Sequence, residues 1–149
     1  MKYLILFLIL LLTACNRWVV PEELVGTWEA PVSDVAVRTH SKEEGFKFYH
    51  DTASAMLIIS DNKTVSGRIG SATFENAALK KNFGPPNMTG IAWIVDVGPV
   101  GTIHPADPLP QKEVQFWLPP AGETMDAELR YTQNGAQFPM AGMVFRKSE

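Results

Sequence analysis

The chain has 149 residues, a formal net charge of −3 and a hydrophobic content of 46%. This length is enough for one ordinary domain with a buried core. Acids and bases are interspersed along the sequence, so there is no basic tract of the kind that binds nucleic acid, and no nucleic-acid partner is expected. The chain contains one cysteine. An intramolecular disulfide is therefore excluded, and packing must stabilise the fold.

The first 15 residues have the pattern of a secretory signal. Lys2 provides a positively charged n-region, an apolar run extends from Tyr3 to Leu12, and the small residues Thr13 and Ala14 precede Cys15. The run is shorter than the stretch of about 20 apolar residues that a membrane-spanning helix needs. The pattern therefore predicts a cleaved signal peptide, and the alternative is an ordinary secreted protein in which the cysteine is incidental.

The motif Leu12-Thr13-Ala14-Cys15 resembles the lipobox of bacterial lipoproteins. The resemblance implies removal of residues 1–14 and attachment of lipid, such as palmitate, to the sulfur and the freed amino group of Cys15. Several acyl chains anchor a protein stably, since each buried methylene contributes about 0.8 kcal/mol. Asn16 stands where an Asp signals inner-membrane retention in the enterobacterial version, so the resemblance implies a periplasm-facing protein of the outer membrane.

From Leu24 onward the hydrophobic pattern has a period of two, which is typical of half-buried strands. Residues 16–23 before it are predicted to form a short tether. The segments that read as strands are Ala55–Ser60, Thr64–Ile69, Ile91–Val97, Val114–Leu118, Met125–Tyr131 and Phe138–Arg146. Turns are predicted at Asp61-Asn62-Lys63 and at Asn134-Gly135, and longer loops at residues 41–45, 84–87, 104–110 and 119–122.

Eight to ten short strands in residues 24–149 predict an all-β domain with a single antiparallel sheet closed into a barrel. Closure would remove the exposed edges that so many short strands otherwise present. A β-sandwich is the alternative. Helical spacing is nearly absent from this part of the sequence.

Two further motifs resemble those of the calycins, the superfamily of lipocalins, fatty-acid-binding proteins and avidins. Gly26-Thr27-Trp28 stands on the first predicted strand and Arg146 on the last. The resemblance implies that Gly26, Trp28 and Arg146 close the barrel, with the Arg146 guanidinium lying across the Trp28 indole. The stretches Val65–Gly70 and Gly101–Asp107 also resemble segments of uncharacterised bacterial lipoproteins, which implies no activity.

No motif predicts catalysis, so we expect a protein that is not an enzyme and that holds no cofactor or metal. His40, His50 and His104 lack the close spacing of zinc ligands. His50-Asp51 and His104-x-x-Asp107 each offer a base beside an acid, but there is no Gly-x-Ser-x-Gly nucleophile motif. We therefore interpret these pairs as solvated loop residues.

Aromatic and methionine side chains could line or flank the barrel interior and accept an apolar guest, or could simply fill it. These residues are Phe46, Phe48, Trp93, Trp117, Met125, Tyr131, Met140 and Met143. The loops 83–90 and 104–110, with Trp93, Trp117, His104 and Asp107, are predicted to border one recognition surface at the barrel mouth.

The sequence thus favours a noncatalytic outer-membrane lipoprotein that binds either a small apolar molecule or another envelope protein. The alternative is an inhibitor or immunity lipoprotein that protects the envelope from a toxin or a lytic enzyme. In both cases the lipid on Cys15 provides the contact with the membrane.

Replacing Cys15 by serine should leave the protein without lipid, because only a thiol can accept the diacylglycerol. Metabolic labelling with an alkyne fatty acid should mark the wild-type protein and not Cys15→Ser. Absence of label from the wild type would exclude the lipoprotein hypothesis.

Overall fold

The computed structural model describes residues 18–41, 45–82, 90–100, 112–133 and 136–148. Cys15, His104 and Asp107 and the predicted signal peptide lie outside these ranges. The described chain is all-β. Its strands are β1 (Gly26–Ser41), β2 (Gly45–Ile59), β3 (Thr64–Ile69), β4 (Ala72–Lys81), β5 (Trp93–Val100), β6 (Lys112–Leu118), β7 (Thr124–Gln133) and β8 (Ala136–Lys147).

The eight strands form one closed barrel in which each strand pairs antiparallel with the next and β8 returns to β1. At the closure, Trp28 lies opposite Lys147, and Glu29 lies opposite Arg146. The predicted barrel is therefore confirmed. It has eight strands, the lower limit of the predicted range of eight to ten, and the β-sandwich alternative is wrong.

Two of the hairpins were predicted from their turns. Between β2 and β3 the Asn62 side chain accepts hydrogen bonds from the Thr64 backbone N–H (3.1 Å) and hydroxyl (2.6 Å), and Lys63 has a left-handed φ of 69°. Strands β7 and β8 pair as far as Gln133 opposite Ala136. This agrees with a turn at residues 134–135, which themselves lie outside the described chain.

Successive connections in such a barrel alternate between its two ends. Segments 60–63, 82–92 and 119–123 connect strands at the end where β1 begins and β8 finishes. Segments 42–44, 70–71, 101–111 and 134–135 connect strands at the other end, which we call the distal end. Any two consecutive loops therefore belong to opposite ends of the molecule.

Residues 18–25, which we call the plug, cover the end of the barrel where β1 begins. We call this end the plugged end. Pro21 O accepts hydrogen bonds from the backbone N–H groups of Leu24 (3.0 Å) and Val25 (3.3 Å), so the segment forms a turn. Val20 and Leu24 are buried in the core, and Trp18 packs on Trp93 with ring centroids 5.2 Å apart. The predicted tether is thus, from Trp18 onward, packed against the barrel.

The barrel interior is filled at the level of three phenylalanines. Phe74, Phe116 and Phe145 come from β4, β6 and β8, none of which are neighbours in the sheet. Phe116 nevertheless lies 6.3 Å from Phe74 and 5.9 Å from Phe145, measured between ring centroids. These contacts cross the lumen, so side chains rather than an open channel occupy this level.

The full length of the two longest strands was not predicted, because the sequence indicated only the beginning of β1 and the last residues of β2. Pairing of β1 with β2 continues to Ser41 opposite Gly45, whereas β3 pairs with β2 only as far as Ala55. The β1–β2 ribbon therefore extends beyond β3. A register shift between Ala30 and Ser33 interrupts it. Pro31 lies in that interval, and proline in a sheet is confined to edges, strand starts and bulges because it has no N–H to donate.

Strand β4 was also missed, because a bulge disrupts its alternation. The buried positions are 72, 74, 77 and 79, with both Glu75 and Asn76 exposed between them. Asn76 has a φ of 54°, and its backbone N–H donates to the Ser66 hydroxyl at 3.0 Å. The extra residue shifts the alternation of buried and exposed positions by one residue, so the sequence pattern matches neither a regular strand nor a helix.

Alanine at Gly67 should destabilise the domain, whereas alanine at Gly142 should not. A Cβ at Gly67 would collide with the backbone oxygen of Met56 and lie 3.2 Å from Phe74 Cζ, whereas at Gly142 it would meet nothing within 4 Å. We expect Gly67→Ala to lower the free energy of unfolding by about 2 to 3 kcal/mol, because β2 and β3 must separate. Gly142→Ala should leave it within about 1 kcal/mol.

Urea unfolding of both variants in a Cys15→Ser background measures the difference. Equal losses would show that the backbones of β2 and β3 do not approach closely at Gly67.

Candidate functional site

The barrel closure is built around Trp28, whose side chain is fully buried. Its indole Nε1 donates to Leu24 O at 2.9 Å, so the polar atom is satisfied inside the core. The cation above the ring is Lys147, with Nζ 5.7 Å from the ring centroid. Arg146 is exposed and follows the inward-facing Phe145. The predicted contact between Arg146 and Trp28 is therefore wrong by one residue, because alternation directs Arg146 to the outer surface.

The backbone conformation at the closure favours glycine at position 26, because its φ is +135°, a value that residues with a side chain rarely adopt. A Cβ there would also lie 2.8 Å from Lys147 Cε, so the flexible lysine side chain would have to shift. The Lys147 side chain passes over this glycine, and its Nζ donates to Glu23 O at 3.0 Å. The last strand is thus joined to the plug as well as to β1.

Trp93 and Trp117, predicted to border one recognition surface, lie on different sides of the sheet. Trp93 is buried at the plugged end, where it contacts Trp18. Trp117 is half-buried on the outer wall of β6. The loop residues 83–89 and 101–111 lie outside the described chain. The strand ends that flank them are at opposite ends of the barrel, since β4 ends and β5 begins at the plugged end, whereas Val100 and Lys112 are at the distal end. The prediction that Trp93 and Trp117 border one surface is therefore wrong.

The outer wall instead carries an ordered polar and aromatic cluster, formed by Gln115, Trp117, Glu128 and Arg130, which we call the Trp117–Arg130 cluster. The Arg130 guanidinium carbon lies 3.8 Å from the centre of the Trp117 ring. Arg130 also donates twice to Glu128, from Nε to Oε1 at 2.9 Å and from Nη2 to Oε2 at 3.0 Å. Trp117 Nε1 donates to Gln115 Oε1 at 3.2 Å.

The strand register explains this cluster. Trp117 is opposite Glu128, and Gln115 is opposite Arg130, so the four side chains occupy two adjacent cross-strand pairs on one face. Arg130 and Glu128 remain 27% and 34% exposed. The sequence places a Trp, an acid and an Arg at alternate positions of two strands, but it shows neither that β6 pairs with β7 in this register nor that the face is the outer one.

A shallow depression of about 410 Å³ adjoins the cluster on the same wall. It is open at Gly142, which lies opposite Glu128 and has no side chain to fill the space. Val144, 48% exposed, and Asp126 form its other side. Among the described residues, no hydrogen bond or ion pair involves the Asp126 carboxylate.

A second, smaller cleft of about 210 Å³ lies at the plugged end. The cleft is lined by residues of the plug, such as Leu24, and by residues next to the β4–β5 and β6–β7 connections, such as Trp93 and Pro120. Most of this lining is apolar.

Of the three histidines, the structure gives only strand positions for two. His40 and His50 lie opposite Phe46 and Ala36 in the β1–β2 ribbon, and His104 is outside the described residues. Within the described ranges, no group of three potential metal ligands is present. In the same ranges, no helix is both long enough and apolar enough to cross a membrane.

Comparison with known proteins gives no match of any kind. No family, no curated protein and no solved structure matches this chain. The structure therefore defines a class, an eight-stranded up-and-down barrel with a plugged end, and membership of the calycins stays a prediction.

Lys147→Ala should destabilise the closure more than Arg146→Ala, its immediate neighbour. Loss of the Lys147 bond to Glu23 O and of its position over Trp28 should cost about 1 kcal/mol. Arg146→Ala should stay within about 0.5 kcal/mol, since its side chain is exposed. Chemical unfolding of the two variants tests this. A larger loss at Arg146 would place that residue over Trp28 after all.

Proposed function

We propose that the protein is a noncatalytic lipoprotein of the outer membrane, anchored through Cys15, whose periplasm-facing barrel binds another envelope protein at its outer wall. The observation that carries the binding proposal is the Trp117–Arg130 cluster. The anchoring proposal depends on the resemblance of Leu12–Cys15 to a lipobox.

The cluster has the properties of an interface hot spot. Tryptophan and arginine are enriched among the residues that contribute most to protein association. Here the ring, the guanidinium and the carboxylate already constrain one another through the 3.8 Å stacking contact and the two charge-assisted bonds. Because these contacts already restrain the side chains, they lose less conformational entropy when a partner binds.

The filled lumen favours a protein partner over a small apolar guest. The rings of Phe74, Phe116 and Phe145 contact one another across the barrel. A ligand at this level would have to displace aromatic side chains that are nearly or fully buried. The outer wall requires no such rearrangement.

The depression beside the cluster indicates the chemistry of the partner. Val144 and the open space over Gly142 would accept an aliphatic side chain, and the exposed Asp126 carboxylate is adjacent. A lysine or arginine of the partner would place its aliphatic stem against Val144 and its charge near Asp126. An inhibitor or immunity lipoprotein would use the same surface, with a toxin or lytic enzyme as the partner.

Site-specific photo-crosslinking in cells tests the binding surface. A benzoylphenylalanine at Val144 should give a discrete protein adduct, and one at Thr73, exposed near the distal end, should not. Arg130→Ala and Trp117→Ala should each reduce the Val144 adduct by about tenfold or more, the effect expected of a hot-spot residue. Lys80→Ala is the matched control, since it breaks the surface ion pair of Lys80 with Asp96 (3.0 Å) on another wall.

The adduct is then identified by mass spectrometry, and its affinity for the purified protein and for the same variants is measured. Equal adducts from Val144 and Thr73 would remove support for the outer wall. Saturable binding of an apolar fluorophore, with no partner found, would replace the proposal by a small-molecule function.

A further inference from the structure

We infer that the plugged end of the barrel rests on the lipid surface, so that the barrel stands on the membrane with its distal end directed away. This inference rests on the lipid anchor of the proposed function and adds an orientation to it. The anchor alone does not imply one, because many anchored domains are joined by long linkers.

The chain between the anchor and the barrel is very short. Cys15 precedes Trp18 by three residues. Even fully extended, three residues span only about 11 Å. The lipid-bearing residue therefore lies within that distance of the Trp18 backbone, whatever the conformation between them.

Trp18 is part of the plug rather than of a free tail. Its ring packs on Trp93, and Lys63 Nζ lies 4.6 Å from the ring centroid. Two residues further on, Val20 is buried in the core. The anchor is therefore joined to a segment that contacts the barrel directly.

The distal end lies too far away to reach the bilayer in this arrangement. Strand β7 contains 10 residues. At about 3.3 Å per residue and the usual tilt of barrel strands, the two ends of this strand are roughly 25 Å apart along the barrel axis. The two ends therefore differ greatly in their distance from the anchor.

The surface of the plugged end suits shallow contact with lipid. Val19 is 78% exposed, in a chain where most large hydrophobic side chains described are buried. The exposed Pro120 and the mainly apolar cleft beside it lie on the same end. Charged residues of both signs belong to the same end, namely Glu22, Glu23, Asp61, Lys63, Glu123 and Lys147. Contact should therefore depend on apolar side chains and the anchor, and little on anionic lipid.

Single-cysteine labelling of the full lipidated protein tests the orientation. Lipidation converts the Cys15 thiol to a thioether, so a new cysteine is the only one available to a maleimide fluorophore. The positions are Val19→Cys and Glu123→Cys at the plugged end, and Thr73→Cys near the distal end as the matched control; all three side chains are exposed. The vesicles contain phosphatidylcholine with a lipid quencher, with and without phosphatidylglycerol.

We expect quenching of the Val19 and Glu123 labels to exceed that of the Thr73 label by at least about threefold, given the separation of the ends. Adding phosphatidylglycerol should change little. Equal quenching at Glu123 and Thr73, or stronger quenching at Thr73, would overturn the orientation.

Intact mass of the purified protein separates this outcome from failure of the anchor. If Cys15 carries lipid and the labels are quenched equally, the orientation is wrong and the lipoprotein proposal stands. If Cys15 carries no lipid, the proposed anchoring is wrong, and the orientation falls with it. Circular dichroism of each labelled variant confirms that the barrel remains folded.

Discussion

The rest of the structure depends on the closure of β1 against β8 around Trp28. The fully buried indole occupies the lumen where the sheet joins, and its N–H is satisfied by Leu24 O, so the first residues of the barrel domain and the first strand form one unit. Lys147 adds the last strand to the same unit through Glu23 O. Without this junction both β1 and β8 would present open edges, which pair readily with other chains.

Closure also determines where binding can occur. Inward residues pack against one another across the lumen, as the contacts of Phe116 with Phe74 and Phe145 show, and the plug covers one end. The described surface that combines ordered polar groups with an open depression is the outer wall of β6 to β8. With the plugged end on the membrane, this wall would face sideways into the periplasm, within reach of a neighbouring envelope protein.

Regular alternation made β6 and β7 easy to predict, and every inward residue from Val114 to Leu118 and from Met125 to Tyr131 is buried. Irregular strands were missed for physical reasons. The bulge at Asn76 shifts the period of β4, and the interruption at Pro31 separates two parts of β1. The candidate site was predicted only in part, because Trp93 and Trp117 were grouped together although the sheet separates them.

The sequence by itself determined the features that depend on local patterns: the all-β class, most strand positions, the turn at residues 61–63 and the resemblance to a lipobox. These follow from alternation and turn chemistry, which depend on near neighbours in the chain. The tertiary structure decided that Lys147 rather than Arg146 covers Trp28, that Arg130 stacks on Trp117, and that residues 18–25 plug the barrel. Each depends on strand register or barrel closure, and a shift of one residue moves a side chain to the opposite face.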